Sequence, residues 1–437
     1  MEEKRLRSGF TTGACATAAA RAAAVFLLSG TLPERVEVIL PEGQHAVWKP
    51  EYENEEPCRG YLRVQKDAGD DPDVTHGSWV YARVTILTEA ELEKKRQTGS
   101  GYWLEEYPEV YLDGGIGIGI VTKPGLSCPV GHYAINPVPR KMILSAVEEE
   151  RNRLGFRGCL GIQIAIPSGV ELAKKTFNPK LGIQGGISVL GTTGIVKPMS
   201  EEALLATIRL DIHMKTVANE KVLLMAPGNY GETFLREAMG IPMGEAVLCS
   251  NFVADSMQML REENVRELLF VSHIGKLIKV SAGIPNTHSK YGDGRMEEMA
   301  RLTALRLGNP ERQEAQEEQE QKAELEERER QKDQKNQEDQ EGQKRQGEPE
   351  ENRALLEQIL SSNTTDEALE HMNQARAGLA EQILTDSAES AKAHLERWAG
   401  GNLHAEVVTF SSALGITGKS RGADEMFERW QSQKVET

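Results

Sequence analysis

The sequence lacks several features by which common classes of protein are recognised. Its five cysteines (Cys15, Cys58, Cys128, Cys159 and Cys249) include no CxxC pair. This argues against a structural zinc site and a disulfide framework, and it is typical of a protein in a reducing cytoplasm. The formal net charge is −16, so neither duplex DNA nor an anionic membrane is an expected partner. A small anionic ligand is still compatible, because local charge decides its binding.

Long apolar runs are also scarce. The longest, residues 13–30, follows three basic residues and is similar to a signal peptide. However, Arg21 interrupts the run and no A-x-A cleavage site follows. Thr11 or Thr12 could cap a helix that ends at Gly30. We therefore expect a buried, alanine-rich helix here and no membrane span.

A chain of 437 residues predicts two domains. Residues 1–198 combine alternating strand patterns with an amphipathic helix, which predicts an α+β domain. In residues 199–437, strands and helices alternate, which predicts a parallel, doubly wound α/β domain. Residues 310–351 are almost entirely charged or Gln and have no apolar face. They are expected to form a solvated helix or a disordered insertion.

Five segments of the first domain combine glycine or proline with ionisable residues: 8–15, 66–77, 114–126, 134–140 and 174–196. Glycine permits close approach of a ligand to the backbone, and exposed N–H groups bind anions. Basic residues lie in or beside these segments and a similar one further along the chain. They are Lys66, Lys123, Arg140, Lys174, Lys175, Lys197, Lys290 and Arg295. This placement predicts a basic cleft for a polyanionic ligand.

The segment KDAGDDPDVTHG, residues 66–77, allows three interpretations. Asp71, Asp73 and His76 could bind a metal, but the EF-hand spacing is absent and no zincin-like helix frames them. A solvated turn has the same composition. The third interpretation is a catalytic or ligand-contacting loop.

Nucleotide-binding motifs are weak. The sequence GGIGIG (114–119) runs on into VTKPG rather than into a helix, so it does not fit a dinucleotide fingerprint, and no GxxxxGK[ST] motif occurs. The turn GNYG (228–231) does join a buried strand to a helix. It could present N–H groups to a polar ligand, or it could be an ordinary connection.

Six motifs together resemble one known family. They are SGFTTGACATAAA, KDAGDDPDVTHG, VTKPGLSCPVGHYAINPVPR, KTFNPKLGIQGGISVLGTTGIVKPMSE, PGNYG and NTHSKYGDGRME. In this order they are similar to the cobalt-precorrin-5B C1-methyltransferases, the CbiD-type enzymes of the oxygen-independent route to cobalamin. The resemblance is dense over residues 5–308 and looser over 352–420. The insertion at 310–351 departs from the family pattern.

The resemblance implies methyl transfer from S-adenosylmethionine to ring carbon C1 of a cobalt-containing tetrapyrrole that carries many carboxylates. Cobalt would arrive with the substrate, so no metal site is expected. The implied C-terminal domain is Rossmann-like. A non-catalytic tetrapyrrole carrier or assembly partner is the alternative. A homo-oligomer and transient contacts with neighbouring pathway enzymes stay open.

Within this resemblance, each candidate residue has an expected role. We expect an acid–base group among the acidic residues and histidine of 66–77, and favour Asp71 and His76. The donor is expected at Gly228, Asn229, Tyr230 and Gly231. The expected substrate-binding residues are Lys66, Thr122, Lys123, Arg140, Lys174, Lys175, Thr192, Thr193, His288, Lys290 and Arg295.

Overall fold

A computed structural model describes residues 6–242, 244–308 and 350–435. The chain forms two compact units, Met1–Ala218 and Asn219–Thr437. The sequence-predicted boundary at 198 precedes the helix Glu201–Val217, which the structure groups with the first unit. Nearly all of the predicted insertion, 310–351, lies outside the described residues. The mixture of helices and sheets confirms the predicted α/β and α+β class.

The first unit contains five α-helices among its described residues, and many short strands. The helices are α1 (Thr12–Ser29), α2 (Glu89–Thr98), α3 (Pro137–Arg153), α4 (Gly169–Leu172) and α5 (Glu201–Val217). A 3-10 turn, Ala173–Lys175, follows α4. The strands are β1 (Gly9–Phe10), β2 (Val36–Ile39), β3 (His45–Trp48), β4 (Glu51–Tyr52), β5 (Leu62–Gln65), β6 (Trp79–Leu87), β7 (Tyr102–Leu104), β8 (Tyr107–Gly114), β9 (Gly117–Ile118), β10 (Ile120–Val121), β11 (Cys159–Ala165), β12 (Ile183–Gln184), β13 (Gly186–Ile187) and β14 (Ile195–Val196).

A six-stranded sheet of order β4-β5-β6-β11-β8-β7 forms the centre of this unit. Strand β11 pairs antiparallel with β6 and parallel with β8. Helix α1 packs on α3 and on strands β5 and β6, and its buried alanines belong to the same core as the sheet. Small side chains permit this close packing, which explains why the helix is so rich in alanine.

The caps of α1 agree with the sequence prediction. The Thr11 hydroxyl accepts a hydrogen bond from the Ala14 N–H at 3.2 Å, and Gly30 ends the helix with φ of 73°. By length and composition α1 alone, among the described residues, is apolar enough to cross a membrane. Because 67% of it is buried within the structure, it has the environment of a core helix.

The second unit alternates strands with helices. Its strands are β15 (Val222–Ala226), β16 (Val247–Leu248), β17 (Glu267–His273), β18 (His404–Ser411) and β19 (Ile416–Lys419). Its helices are α6 (Asn229–Met239), α7 (Val253–Glu262), α8 (Ile274–Ser281), α9 (Arg295–Leu307), α10 (Glu350–Ser361), α11 (Thr365–Ala375), α12 (Leu379–Trp398) and α13 (Ala423–Val435), with a 3-10 turn at Ser289–Tyr291.

These strands form one sheet of order β16-β15-β17-β18-β19, parallel except for β19. Every residue of β15 is buried, as expected for a parallel strand covered on both faces. The chain passes from β15 to β16 on one side and then crosses to β17 on the other. The order therefore reverses between β15 and β17, the position at which open parallel sheets generally bind ligands, at the carboxyl ends of the strands.

Candidate functional site

The acidic loop 66–77 is fixed to the N-terminal strand of the first unit. The Arg7 guanidinium forms a bidentate ion pair with the Asp67 carboxylate, at 2.5 and 2.9 Å. The backbone N–H of Arg7 donates to the Asp70 carboxylate at 2.7 Å. A side chain at Gly9 or Gly69 would overlap the opposing backbone, so the two segments touch main chain to main chain. Residues 67–70 of the loop are therefore held in place by their contacts with residues 7–9.

Beside the loop lies a cavity of about 290 Å³. Its walls come from the start of α1, the acidic loop, the segment before β12, the segment around β13, and α5. The lining residues are Thr11, Thr12, Lys66, Asp73, Val74, Thr75, Thr176, Phe177, Asn178, Leu181, Ile187, Ser188, Leu190, Val196, Thr207 and Leu210. The cavity thus combines segments that are distant in sequence.

A buried ion pair forms the polar part of the wall. The Lys66 side chain is 1% exposed and donates to Asp73 Oδ2, while the Thr75 N–H and hydroxyl donate to Oδ1 at 2.7 and 2.6 Å. Burial by itself raises the pKa of Asp73, but the hydrogen bonds from Lys66 and Thr75 outweigh it and lower the pKa overall. Asp73 is therefore a carboxylate at neutral pH.

The N-terminus of α1 forms the adjacent wall. The Thr12 hydroxyl donates to the Leu190 carbonyl at 3.3 Å, and the Leu190 N–H donates to the same hydroxyl at 3.0 Å. Gly191 has φ of 128°, and a side chain there would overlap Thr11. The glycine-rich segment after β13 thus lies directly against the positive end of the helix dipole.

The two residues favoured for acid–base chemistry do not line this cavity. Asp71 accepts a hydrogen bond from the Met199 N–H at 3.1 Å. His76 Nδ1 accepts from the Ala68 N–H at 3.1 Å and lies 3.9 Å from an Asp67 carboxylate oxygen. Because Nδ1 accepts, the neutral ring carries its proton on Nε2 and presents a donor.

The other predicted substrate-binding residues of the first unit do not join Lys66 in the described cavity. Thr122 donates to the Gly182 carbonyl at 2.7 Å, and Lys123 packs against Gly182. Lys174 pairs with Glu171 at 2.7 Å, and both Lys175 and Thr192 are exposed. The Thr193 hydroxyl donates to the Ile195 carbonyl at 3.2 Å.

Arg140 is held by contacts within the unit. Its guanidinium donates to the Ile135 and Ser127 carbonyls at 2.5 and 3.1 Å and lies 3.7 Å from the centre of the Tyr102 ring. These contacts give Arg140 a structural role in joining the start of α3 to the preceding loop.

Three predicted substrate-binding residues lie in the second unit, around the 3-10 turn Ser289–Tyr291. His288 caps this turn by accepting the Lys290 N–H at 3.1 Å. The Lys290 ammonium lies 4.9 Å from the centre of the Tyr291 ring. Arg295 pairs with Asp293, and hydrogen bonding from this guanidinium lowers the pKa of the Asp293 carboxyl.

The predicted donor turn lies after β15, where the strand order of the second unit reverses. Gly228 follows β15 and caps α6 with φ of 109° and ψ of −175°, a conformation essentially confined to glycine. Asn229 begins the helix, and Gly231 lies in its first turn, where a side chain would overlap Ala226. Tyr230 is exposed, with its ring 6.0 Å from the ring of His273, the last residue of β17.

Lys276, which the sequence analysis did not select, joins the strand ends at this position. Its ammonium group donates to the Pro227 carbonyl at 2.7 Å and to the Ser250 carbonyl at 3.3 Å. It thereby joins the ends of β15 and β16 to the helix that follows β17. Burial lowers the pKa of Lys276, and burial likewise lowers the pKa of the neighbouring His273. Ser250 has φ of 54°, unusual for a residue other than glycine.

The described residues contain no group of three or more His, Cys, Asp or Glu side chains that could hold a metal ion. In the acidic loop, the contacts explain why: Asp67 pairs with Arg7, Asp73 pairs with Lys66, and Asp71 binds backbone. Its carboxylates therefore do not converge on one point.

Comparison with known proteins places the chain in a family. The CbiD family model matches residues 1–198, and the model of the CbiD C-terminal domain matches residues 350–421. The cobalt-precorrin-5B C(1)-methyltransferase of Ruminiclostridium cellulolyticum is 43% identical over 303 residues, which are 69% of this chain and 74% of that protein.

A second relative extends along almost the whole sequence. The protein of the same name from Listeria welshimeri is 32% identical over 428 residues, 98% of each chain. A crystal structure of the cobalamin biosynthesis protein CbiD from Archaeoglobus fulgidus is 27% identical, with a TM-score of 0.35, covering 68% of this chain and 84% of that one. The sequence similarity is sufficient to assign the family. This chain belongs to the CbiD family of cobalt-precorrin-5B C(1)-methyltransferases.

Proposed function

We propose that this protein methylates C1 of cobalt-precorrin-5B to give cobalt-precorrin-6A, with S-adenosylmethionine as the methyl donor, in anaerobic cobalamin biosynthesis. The observation that carries the proposal is the similarity over 98% of the chain to a relative named for this reaction. The structure supports it with a cavity of about 290 Å³ in the first unit and with a reversal of strand order in the parallel sheet of the second.

We propose that the second unit is Rossmann-like and binds the donor at the strand-order reversal between β15 and β17. In open parallel sheets, ligands bind where the strand order reverses. The sharp turn at Gly228 brings the start of α6 to this position, and the N–H groups at a helix N-terminus suit a polar ligand. Lys276 would hold the strand ends in place around the ligand.

When bound, the sulfonium donor supplies an activated methyl group, whose carbon–sulfur bond breaks as a carbon–carbon bond to the substrate forms. The protein's own contribution to such a displacement is orientation and electrostatic stabilisation. We propose that Asp71 provides a carboxylate near the reacting ring and that His76 donates a hydrogen bond from Nε2. Lys66 would attract the anionic substrate.

The cysteine pattern and the bacterial relatives also favour a cytoplasmic location, which we include in the proposal. All five cysteines are buried and free, as expected where thiols stay reduced.

A non-catalytic tetrapyrrole carrier is the competing function, and it would need no donor site. Calorimetric titration of the full chain with S-adenosylhomocysteine separates the two. We expect saturable binding with one site per chain. Absence of binding, together with retained affinity for a cobalt corrin, would favour the carrier and overturn our proposal.

A further inference from the structure

Lys66 is an unusual residue for the wall of a cavity. Its side chain is 1% exposed and is among the largest fully buried side chains of the described residues. A lysine is almost never buried to this extent without a partner, because removing its charge from water is costly. The acceptors around the Lys66 ammonium therefore indicate which kind of ligand the cavity can bind.

Asp73 satisfies only part of the hydrogen-bonding capacity of Lys66. An ammonium group has three N–H donors, and among the contacts of the described residues Asp73 is its one acceptor. Asp73 in turn accepts two hydrogen bonds from Thr75, so its negative charge is stabilised by Thr75 as well as by Lys66. A second anion beside Lys66 would use the remaining donors.

The N-terminus of α1 makes the same part of the cavity favourable for an anion. Thr11 and Thr12 both line it, at the positive end of an 18-residue helix. No acidic residue occurs in the first turn of this helix. A carboxylate suits both features, since Lys66 would donate to it and the helix dipole would stabilise its negative charge. The Gly13 and Ala14 N–H groups of the first turn already donate to the Leu190 carbonyl and the Thr11 hydroxyl, so Lys66 is the main donor.

The mouth of the cavity is apolar. Val74, Phe177 and Leu190 line it and are 42%, 52% and 48% exposed, respectively. Large apolar side chains exposed beside a polar floor are typical of a site for an amphipathic ligand. A volume of about 290 Å³ is close to the lower limit of roughly 300 Å³ for small-molecule pockets, so the cavity admits a side arm rather than a whole macrocycle.

We propose that this cavity binds one carboxylate side arm of the tetrapyrrole, with Lys66 as its counter-ion and with Val74, Phe177 and Leu190 against the ring face. The inference rests on the proposed function for its substrate class. The inference adds the position at which one side arm binds. It also identifies the Lys66–Asp73 pair as the part of the first unit that recognises the carboxylate of the substrate.

The test compares two cobalt corrins. The side arms of cobyrinic acid end in carboxylates, and those of cobinamide end in amides. Binding of each is titrated against the full chain, Lys66→Met and Lys141→Met. The control removes an exposed lysine that pairs with Glu106 at 3.6 Å and does not line the cavity. We expect Lys66→Met to weaken cobyrinic acid binding about tenfold or more and to change cobinamide binding less than about twofold. Lys141→Met should change neither by more than about twofold.

Equal affinity of Lys66→Met and the parent protein for cobyrinic acid would overturn the inference and leave the proposed function standing. No binding of cobyrinic acid to the parent protein would instead refute the substrate class, and the inference with it. If Lys66→Met fails to fold, Phe177→Ala tests the same cavity, because Phe177 is half exposed. It should weaken binding of both corrins several-fold, and unchanged binding would overturn the inference.

Discussion

At the scale of single residues, the carboxylates of the acidic loop have different partners. Asp67 pairs with Arg7, whereas Asp73 pairs with Lys66 in the cavity wall. Asp71 accepts the Met199 N–H, and His76 accepts the Ala68 N–H. Each carboxylate therefore has a distinct environment, and substitutions should separate their roles.

Asp67 should contribute to stability in a pH-dependent way. Hydrogen bonding from Arg7, followed by that from the Gly69 N–H, lowers the pKa of Asp67 from 3.8 to about 2. A carboxyl with a lowered folded-state pKa stabilises the protein above its unfolded pKa, and this contribution is lost as the pH falls through the folded value. The stabilisation should be present above about pH 4 and lost towards about pH 2.

The variant Asp67→Asn should therefore be less stable than the parent at neutral pH, by about 0.2–1 kcal/mol because the ion pair is half exposed. Urea denaturation at a series of pH values should show the difference in unfolding free energy shrinking below about pH 4. A difference that stays constant with pH would show that the pair is not its source.

Asp71 and His76 should affect rate more than stability. Loss of a positioned acid–base group typically slows a reaction about 10²–10⁴-fold, whereas exposed substitutions usually change stability by less than about 0.5 kcal/mol. We expect Asp71→Asn or His76→Gln to keep its melting temperature and donor affinity while turnover falls at least about tenfold. Asp70→Asn, in the same loop but bonded to Arg7, is the control. Full turnover in both test variants would identify 66–77 as a structural turn.

At the scale of elements, the ends of α6 offer a matched pair of glycines. Gly228 precedes the helix and Gly240 follows it, and both have positive φ, 109° and 68°. A methyl group at Gly228 would lie 3.4 Å from the Lys276 ammonium, whereas at Gly240 it would meet nothing within 4 Å. The two alanine variants therefore impose backbone strain at opposite ends of one helix.

Gly228→Ala should weaken S-adenosylhomocysteine binding by about tenfold, because it distorts the turn at the strand-order reversal. Gly240 has φ of 68° and ψ of 18°, in the left-handed region, so Gly240→Ala should lose less stability and bind normally. Calorimetry and thermal melting together measure both effects. Equal affinities in the two variants would remove the donor site from this turn.

The elements show which properties local sequence determines. Helix α1 was predictable because Thr11 and Gly30 provide both caps, and β6 because its alternation extends over the whole strand. The cavity was not predictable, because Lys66 and Phe177 lie far apart in the chain and meet through packing. Lys276 was missed for a similar reason: its acceptors, Pro227 and Ser250, follow two other strands.

At the scale of the whole molecule, each unit contains one candidate ligand site. The first has a cavity with a buried cation and an apolar mouth, and the second has a parallel sheet whose strand order reverses. Methyl transfer to a carboxylate-bearing macrocycle requires both an anion-binding site and a donor site. The proposed activity assigns a role to each.

The central claim is transfer of a methyl group to C1, and isotope labelling tests it most directly. The full chain is incubated with cobalt-precorrin-5B and S-adenosylmethionine carrying a ¹³C-methyl group, and the product is analysed by NMR. We predict one labelled methyl per macrocycle, with long-range correlations from the methyl protons to the ring carbons that assign it to C1. An unlabelled macrocycle, or a label on another ring carbon, would contradict the account.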